Sequence, residues 1–259
     1  GFTSYYDDLI LLRSGVISQK SYLELLKAQI DRYLQNPGRL IPSVSESSFD
    51  AWIKFYRQDE NSNNAGTSYY NKGSLVALCL DLGLRLRGST LDAMMRLLYE
   101  NTQKGIQVNE RSIFELCHEL TGDNWIEQIN HLINTTDELP LDQLLPEFGL
   151  SYSLKNDKAL PFGLKTVDKA EGVVIQQVRR DSAAAKAGLS ANDVILAIDG
   201  IKASEKLLAK YAKQQGTFTI YAFRRDELLQ FEISGGENAL TTVELKIEDQ
   251  NKLDLWLKV

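Results

Sequence analysis

Histidine and cysteine are scarce in this chain, with two of each among 259 residues. Cys79 and Cys117 both fall in helix-like contexts, where buried free thiols are the simpler reading, so the chain is no disulfide scaffold. The only His-Glu pair, His118-Glu119, runs on as Leu120-Thr121-Gly122 and lacks the second histidine that a helical zinc-binding spacing requires. Cys117, His118 and His131 could be drawn together as a metal cluster, but isolated core or surface histidines are the commoner explanation. Basic residues are in deficit: the net charge of −6 argues against a nucleic-acid partner, because phosphate binding needs a basic face. No apolar run reaches the roughly 18 residues of a membrane span; the longest, Leu75 to Leu86, is broken by Asp81, Gly83 and Arg85. A nucleophile elbow, a P-loop and a dinucleotide-binding glycine pattern are all missing. So are an initiator methionine and a signal peptide: Gly1-Phe2-Thr3-Ser4-Tyr5-Tyr6 enters directly into an apolar pattern, as if a longer protein had been cut. Targeting information is then expected upstream, and the compartment is not readable from these residues.

What is present is an ordinary globular composition, 43% apolar and 25% charged, in a chain long enough for two domains. Up to about residue 145 the pattern is helical. Tyr5, Tyr6, Leu9, Ile10 and Leu12 recur at helical spacing before Ser14-Gly15. Ser18 reads as the N-cap of a helix that stops at Asn36-Pro37-Gly38. Phe49, Trp52, Phe55 and Tyr56 form an aromatic cluster, also at helical spacing. Leu80, Leu82, Leu84 and Leu86 alternate as in a strand, yet Leu75, Leu78, Leu82 and Leu86 share a helix face; with no turn residue between, one buried helix from about Ser68 to Arg87 is expected. Further helices are expected over Thr90–Lys104, Glu110–Leu120 and Asn124–Ile133. Asp7-Asp8 are adjacent acids that point apart on a helix, and a solvated face suffices for them.

From Phe148 the pattern turns to short β-runs, at 172–175, 193–198, 217–223 and 228–233, with a helix over Ser204–Gln214. Between them, Asp181 to Gly200 holds an alanine-rich helix, the glycine stop Gly188, a turn, a buried strand and a second turn. That order resembles the central signature of a bacterial PDZ domain. Such domains take up peptides by strand addition beside a helix, with loop amides holding the terminal carboxylate. Leu160-Pro161-Phe162-Gly163-Leu164 suits the loop, which makes Phe162, Gly163 and Leu164 the candidate peptide-binding residues, Leu164 to Val167 the receiving edge and Ser204–Lys213 the groove helix. Asn192 stands where the resemblance leads one to expect glycine; asparagine tolerates a left-handed backbone, so the turn can survive. The plain alternative is a PDZ fold kept as a spacer. The expected layout is a helical domain over 1–145, a PDZ-like β-barrel over 146–235 and a tail over 236–259, in which Trp256 is expected to dock on something, such as the helical domain.

Gly-Phe-Thr-Ser-Tyr-Tyr at residues 1–6, followed by Tyr69-Tyr70-Asn71-Lys72-Gly73 and Leu78 to Arg85, resembles the glycyl-aminopeptidase family of zinc peptidases. Members combine a thermolysin-like catalytic core, a helical domain and a PDZ domain. The resemblance implies that the chain is the C-terminal part of such an enzyme, α plus β in class, with the three zinc ligands and the general-base glutamate preceding Gly1. Zinc would then belong to the full-length enzyme and the fragment would be metal-free and inert. In the broader aminopeptidase relatives a Tyr-x-Lys-Gly segment supplies a phenol to the oxyanion of the tetrahedral intermediate. Tyr70 matches that position, and a phenol of pKa about 10 stays a neutral donor at working pH. Peptides or polypeptides are the implied substrates, with a C-terminal peptide as the ligand of the PDZ groove. The competing reading is a non-enzymatic adaptor in which a helical scaffold presents a PDZ domain.

Overall fold

A computed structural model describes residues 1–258. Helices α1 (Phe2–Arg13) and α2 (Gln19–Gln35) open the chain, and the Ser18 hydroxyl accepts from Ser21 N as the N-cap of α2. A 3-10 turn, Pro37–Leu40, leads to α3 (Val44–Phe49), which a Ser43/Glu46 capping box starts. The aromatic cluster expected at helical spacing lies mostly beyond α3, in consecutive turns over 50–56. Short α4 (Ser62–Ala65) then delivers the chain to α5 (Asn71–Arg85), followed by α6 (Leu91–Gln103), α7 (Glu110–Thr121), α8 (Ile126–Asn134) and α9 (Leu141–Glu147).

The leucine alternation near residue 80 belongs to a helix. α5 is enclosed by α1, α2, α6, α8 and α9, so both leucine rows are buried as far as Leu84, with Leu86 exposed at the helix end, and the strand-like period is a by-product of burial on all sides. Asp81 sits at the centre of this core, only 1% exposed. Its carboxylate accepts from Tyr5 Oη at 2.6 Å, Arg85 Nε at 3.0 Å and Leu91 N at 2.8 Å, joining α1, α5 and the start of α6.

Strand β1 (Leu150–Pro161) pairs antiparallel with β8 (Glu237–Ile247), and α12 (Gln250–Leu257) ends the described chain. This ribbon lies along α2, where Asp31 Oδ1 accepts from Val243 N at 2.7 Å. Leu150, Val243, Leu253 and Trp256 are all part of the helical core. Trp256 is fully buried and donates Nε1–H to Tyr5 Oη at 3.2 Å, so the tail docks where its tryptophan led one to expect.

Between the two ribbon strands the chain builds a second core. β2 (Leu164–Lys169), β3 (Gly172–Val178), β4 (Val194–Ile198), β6 (Thr217–Arg224) and β7 (Glu227–Ser234) form one antiparallel sheet in the order β2-β3-β4-β6-β7, with the short β5 (Ile201–Lys202) on β4. α10 (Ala183–Ala187) and α11 (Glu205–Ala212) pack on it. The sheet is open, not the closed barrel expected: β1 and β8 pair with each other, so β2 and β7 remain its edges. The twenty-residue signature folds as its chemistry requires. Gly188 ends α10 at φ 86°, and Asn192 takes the left-handed turn at φ 69°. Buried Asp193 is clamped by Arg224 Nε and Nη2, both at 2.8 Å.

Candidate functional site

Tyr69 and Tyr70 stand at the entrance to α5, and the residues behind them explain their placement. Asn71 Nδ2 donates to Gln29 Oε1 at 2.7 Å and to Gln29 O at 3.1 Å, tying the helix start to α2. Lys72 is fully buried and donates to Arg39 O at 3.3 Å; burial holds its ammonium below the usual lysine range. Gly73 lies against Gly1: a Cβ built at Gly73 would meet Gly1 Cα at 3.1 Å. Two segments seventy residues apart in sequence, Gly1–Tyr6 and Tyr69–Gly73, are therefore in direct backbone contact. Tyr5, by contrast, is a core residue whose phenol burial pushes well up.

The two tyrosines differ in exposure. Tyr70 is 43% exposed and Tyr69 half-buried, with ring centroids 4.3 Å apart. Tyr56, from the turns after α3, reaches both: its Oη lies 2.7 Å from Tyr70 Oη and 3.0 Å from Tyr69 Oη. Hydrogen bonding to Tyr56, then to Tyr69, draws the Tyr70 phenol below its ordinary value, while Tyr56 and then Tyr70 push Tyr69 up. Phe55 packs edge-on to Tyr69 at 5.4 Å, and beyond it Phe49 and Trp52 are 90% and 79% exposed. Tyr56 shows in the sequence only as one member of an aromatic cluster; nothing in its spacing announces hydroxyl contacts with residues thirteen and fourteen positions later.

A cleft of about 900 Å³ opens between this loop region and the second core, lined among others by Phe55, Asn63, Gly163, Lys165 and Arg179. Its lining includes a polar latch. Asn64 Nδ2 donates to Val178 O at 2.7 Å, and Arg180 N donates to Asn64 Oδ1 at 2.9 Å. One side-chain amide thus copies a strand partner for the end of β3. Arg179 Nη1 adds a bond to Gln35 O at 2.7 Å.

At the expected peptide groove, Phe162 and Gly163 have positive φ, 55° and 79°, as an amide-presenting turn needs. The Phe162 side chain is fully buried in the second core. Its N–H donates to Gly236 O and that of Gly163 to Leu160 O, both at 2.9 Å, so these two amides are engaged internally. Leu164 differs. It lies opposite Val178, flanked by the Arg179 N to Gly163 O bond, a position whose own N–H points away from β3 toward the free edge of β2. α11 flanks that edge: Thr166 Oγ1 donates to Glu205 Oε1 at 2.8 Å and Glu205 N to Asp168 Oδ1 at 3.0 Å, bridging the far end of the groove.

The histidines and cysteines are dispersed. Cys117 Sγ contacts Met94 Sδ, His118 Nδ1 lies 3.0 Å from Asp123 O, and His131 Nε2 is 3.6 Å from Asp137 Oδ2. Among the described residues no group of three or more His, Cys, Asp or Glu is placed to hold a metal ion. No helix among them is long and apolar enough to cross a membrane.

Two family models match parts of the chain. Residues 1–76 match the family model described as M61 glycyl aminopeptidase, and residues 154–234 match the PDZ domain. The crystal structure of an aminopeptidase N family protein from Idiomarina loihiensis is similar over 99% of this chain, with 36% identity and a TM-score of 0.87. This chain spans 47% of that protein, about half its length. Weaker likenesses are the serine endoprotease of Yersinia pestis, at 21% identity over 29% of this chain and 28% of that one (TM-score 0.26), and the HtrA3 PDZ domain bound to a phage-derived ligand, at 16% identity over 37% of this chain and 92% of that one (TM-score 0.26). None of the curated proteins matches the chain.

Proposed function

With a glycyl-aminopeptidase segment at residues 1–76 and a PDZ domain at residues 154–234, the chain resembles the helical and PDZ part of that peptidase family, and we propose that it serves a zinc-dependent aminopeptidase as its C-terminal portion. In this reading the Tyr70 phenol donates to the oxyanion that forms when a peptide carbonyl is attacked. The zinc is held by residues outside this chain, since none of the described residues form a fitting ligand set. The observation that carries the reading is the contact of Gly1 with Gly73, which brings the two family-like segments together at the start of the helix before which Tyr70 stands, 43% exposed. Zinc analysis and peptide-hydrolysis assays on the 259-residue chain alone test it. Neither bound zinc nor turnover is expected; stoichiometric zinc together with hydrolysis overturns it.

The PDZ domain is proposed to add a polypeptide strand to the free edge of β2, with Leu164 N–H as the first backbone contact. One observation favours a second reading, the domain as a spacer: the Phe162 and Gly163 amides are spent on Gly236 and Leu160. Titrating a C-terminal peptide library against the whole chain separates the two. Saturable binding that Leu164→Pro abolishes supports strand addition, because proline has no N–H to give; no binding by the unmodified chain supports the spacer.

A further inference from the structure

Three phenol oxygens share one hydrogen-bonded chain, with Tyr56 Oη between Tyr70 Oη at 2.7 Å and Tyr69 Oη at 3.0 Å. Each phenol has a single proton to donate, together with lone pairs that accept. Three proton orders satisfy both bonds: in one, Tyr69 and Tyr70 both donate to Tyr56 and the free proton sits on Tyr56, and the other two run in a single direction. In the first of these two, Tyr69 donates to Tyr56 and Tyr56 to Tyr70, which leaves the Tyr70 proton free. In the second, the direction reverses and the free proton sits on Tyr69. An anion arriving at the more exposed Tyr70 selects the order that ends on Tyr70, because only that order offers it a donor. Hydrogen bonds in a row polarise one another in the same direction, so a Tyr70 oxygen that accepts from Tyr56 holds its own proton more loosely.

We propose that Tyr56 is a positioning residue for Tyr70: its hydroxyl donates to Tyr70 Oη, fixes the orientation of that phenol and leaves the Tyr70 proton aimed at the developing oxyanion. The inference rests on the reading of Tyr70 as the oxyanion donor and adds to it a residue that no motif marks. Tyr56 is held for the task. Its ring packs on Trp52 at 5.0 Å and on Phe55 at 5.3 Å, and its N–H donates to Ala51 O at 2.9 Å. Ala51 is buried, so the turn that carries Tyr56 is rooted despite its exposed aromatics. The titratable groups that move Tyr70 are Tyr56 and Tyr69 themselves. The ion pair nearest in sequence, Lys54 with Asp50, is closed on itself within the turn.

Two experiments test the relay, one of them independent of peptidase activity. Tyr70 is the phenol held below its ordinary value, whereas burial holds Tyr5, Tyr6, Tyr22, Tyr33 and Tyr152 above it and hydrogen bonding does the same for Tyr69. Spectrophotometric titration of phenolate in the 259-residue chain should thus show an early step that Tyr70→Phe removes. Tyr56→Phe should move that step to higher pH, and Tyr69→Phe should move it less. In the full-length enzyme Tyr56→Phe should lower kcat about three- to tenfold, the worth of one hydrogen bond, with KM little changed. Its alkaline limb should shift upward, since the Tyr70 proton is then held more tightly. An early step that Tyr56→Phe leaves in place overturns the relay whatever the activity does. So does a fall in kcat with an unmoved alkaline limb, which is what a merely structural role gives. If the early step moves but Tyr70→Phe leaves turnover intact, the relay stands and the oxyanion reading alone fails.

Discussion

Asp81 shows how a single charged residue organises this fold. A carboxylate that is 1% exposed is tolerated because Tyr5, Arg85 and the Leu91 amide satisfy it, and Trp256 closes the far side through Tyr5. Removing one partner of such a buried set strands the others. Asp81→Ala should therefore destabilise the helical unit by about 3–5 kcal/mol, read as a lower denaturant midpoint at unchanged m; a midpoint within error of the parent protein refutes that role. Residue-scale reasoning from sequence singled out Tyr70 by its motif, as a candidate only, and anticipated the left-handed turn at Asn192, which has φ 69°. It did not reach Asp81 or Tyr56, whose partners come from distant segments that spacing does not connect.

At the scale of elements, period and caps served well where a helix has one wet face. Ser18 and Thr90 each cap the helix they precede, accepting from Ser21 N and Ala93 N. They were ambiguous for α5, which is buried nearly all round, and silent about β1 and β8, whose pairing joins residues 150–161 to 237–247 across an intervening domain. That pairing is also why the expected barrel is an open sheet. The start of α6 yields a pH prediction. Burial works to raise the Asp92 carboxyl, but hydrogen bonds from Arg13 and Tyr6 outweigh it and hold it below the usual carboxylate range. A depressed native value means that Asp92 adds stability above its unfolded pKa of about 3.9, and that this is lost as pH falls through the lower native value. Asp92→Asn should flatten the stability curve in that acid window and lower stability at neutral pH; an unchanged acid limb contradicts the assignment.

At the scale of the whole molecule, two cores are joined by the β1–β8 ribbon and latched by Asn64 on the end of β3. The latch lies six residues before Tyr70, so the orientation of the PDZ domain and the tyrosine loop share one short segment. Asn64→Ala leaves Val178 O and Arg180 N without that partner. It should speed amide exchange at Arg180 while leaving Asp81-linked amides such as Leu91 protected; equal exchange in both proteins removes the latch. The domain order, helices then PDZ, was legible from composition and one signature. The latch, the cleft and the contact of Tyr56 with Tyr70 were not: Asn64 sits in a segment without a period, the cleft lies between distant parts of the chain, and the helical spacing around Tyr56 belongs to residues that lie mostly in turns.

The most direct measurement is steady-state kinetics of Tyr70→Phe in the full-length protein. Loss of one oxyanion donor should cut kcat by about 10²–10³ with little change in KM. An unaltered kcat would show that Tyr70 takes no part in the chemistry and that its exposure beside Gly1 and Gly73 has another cause.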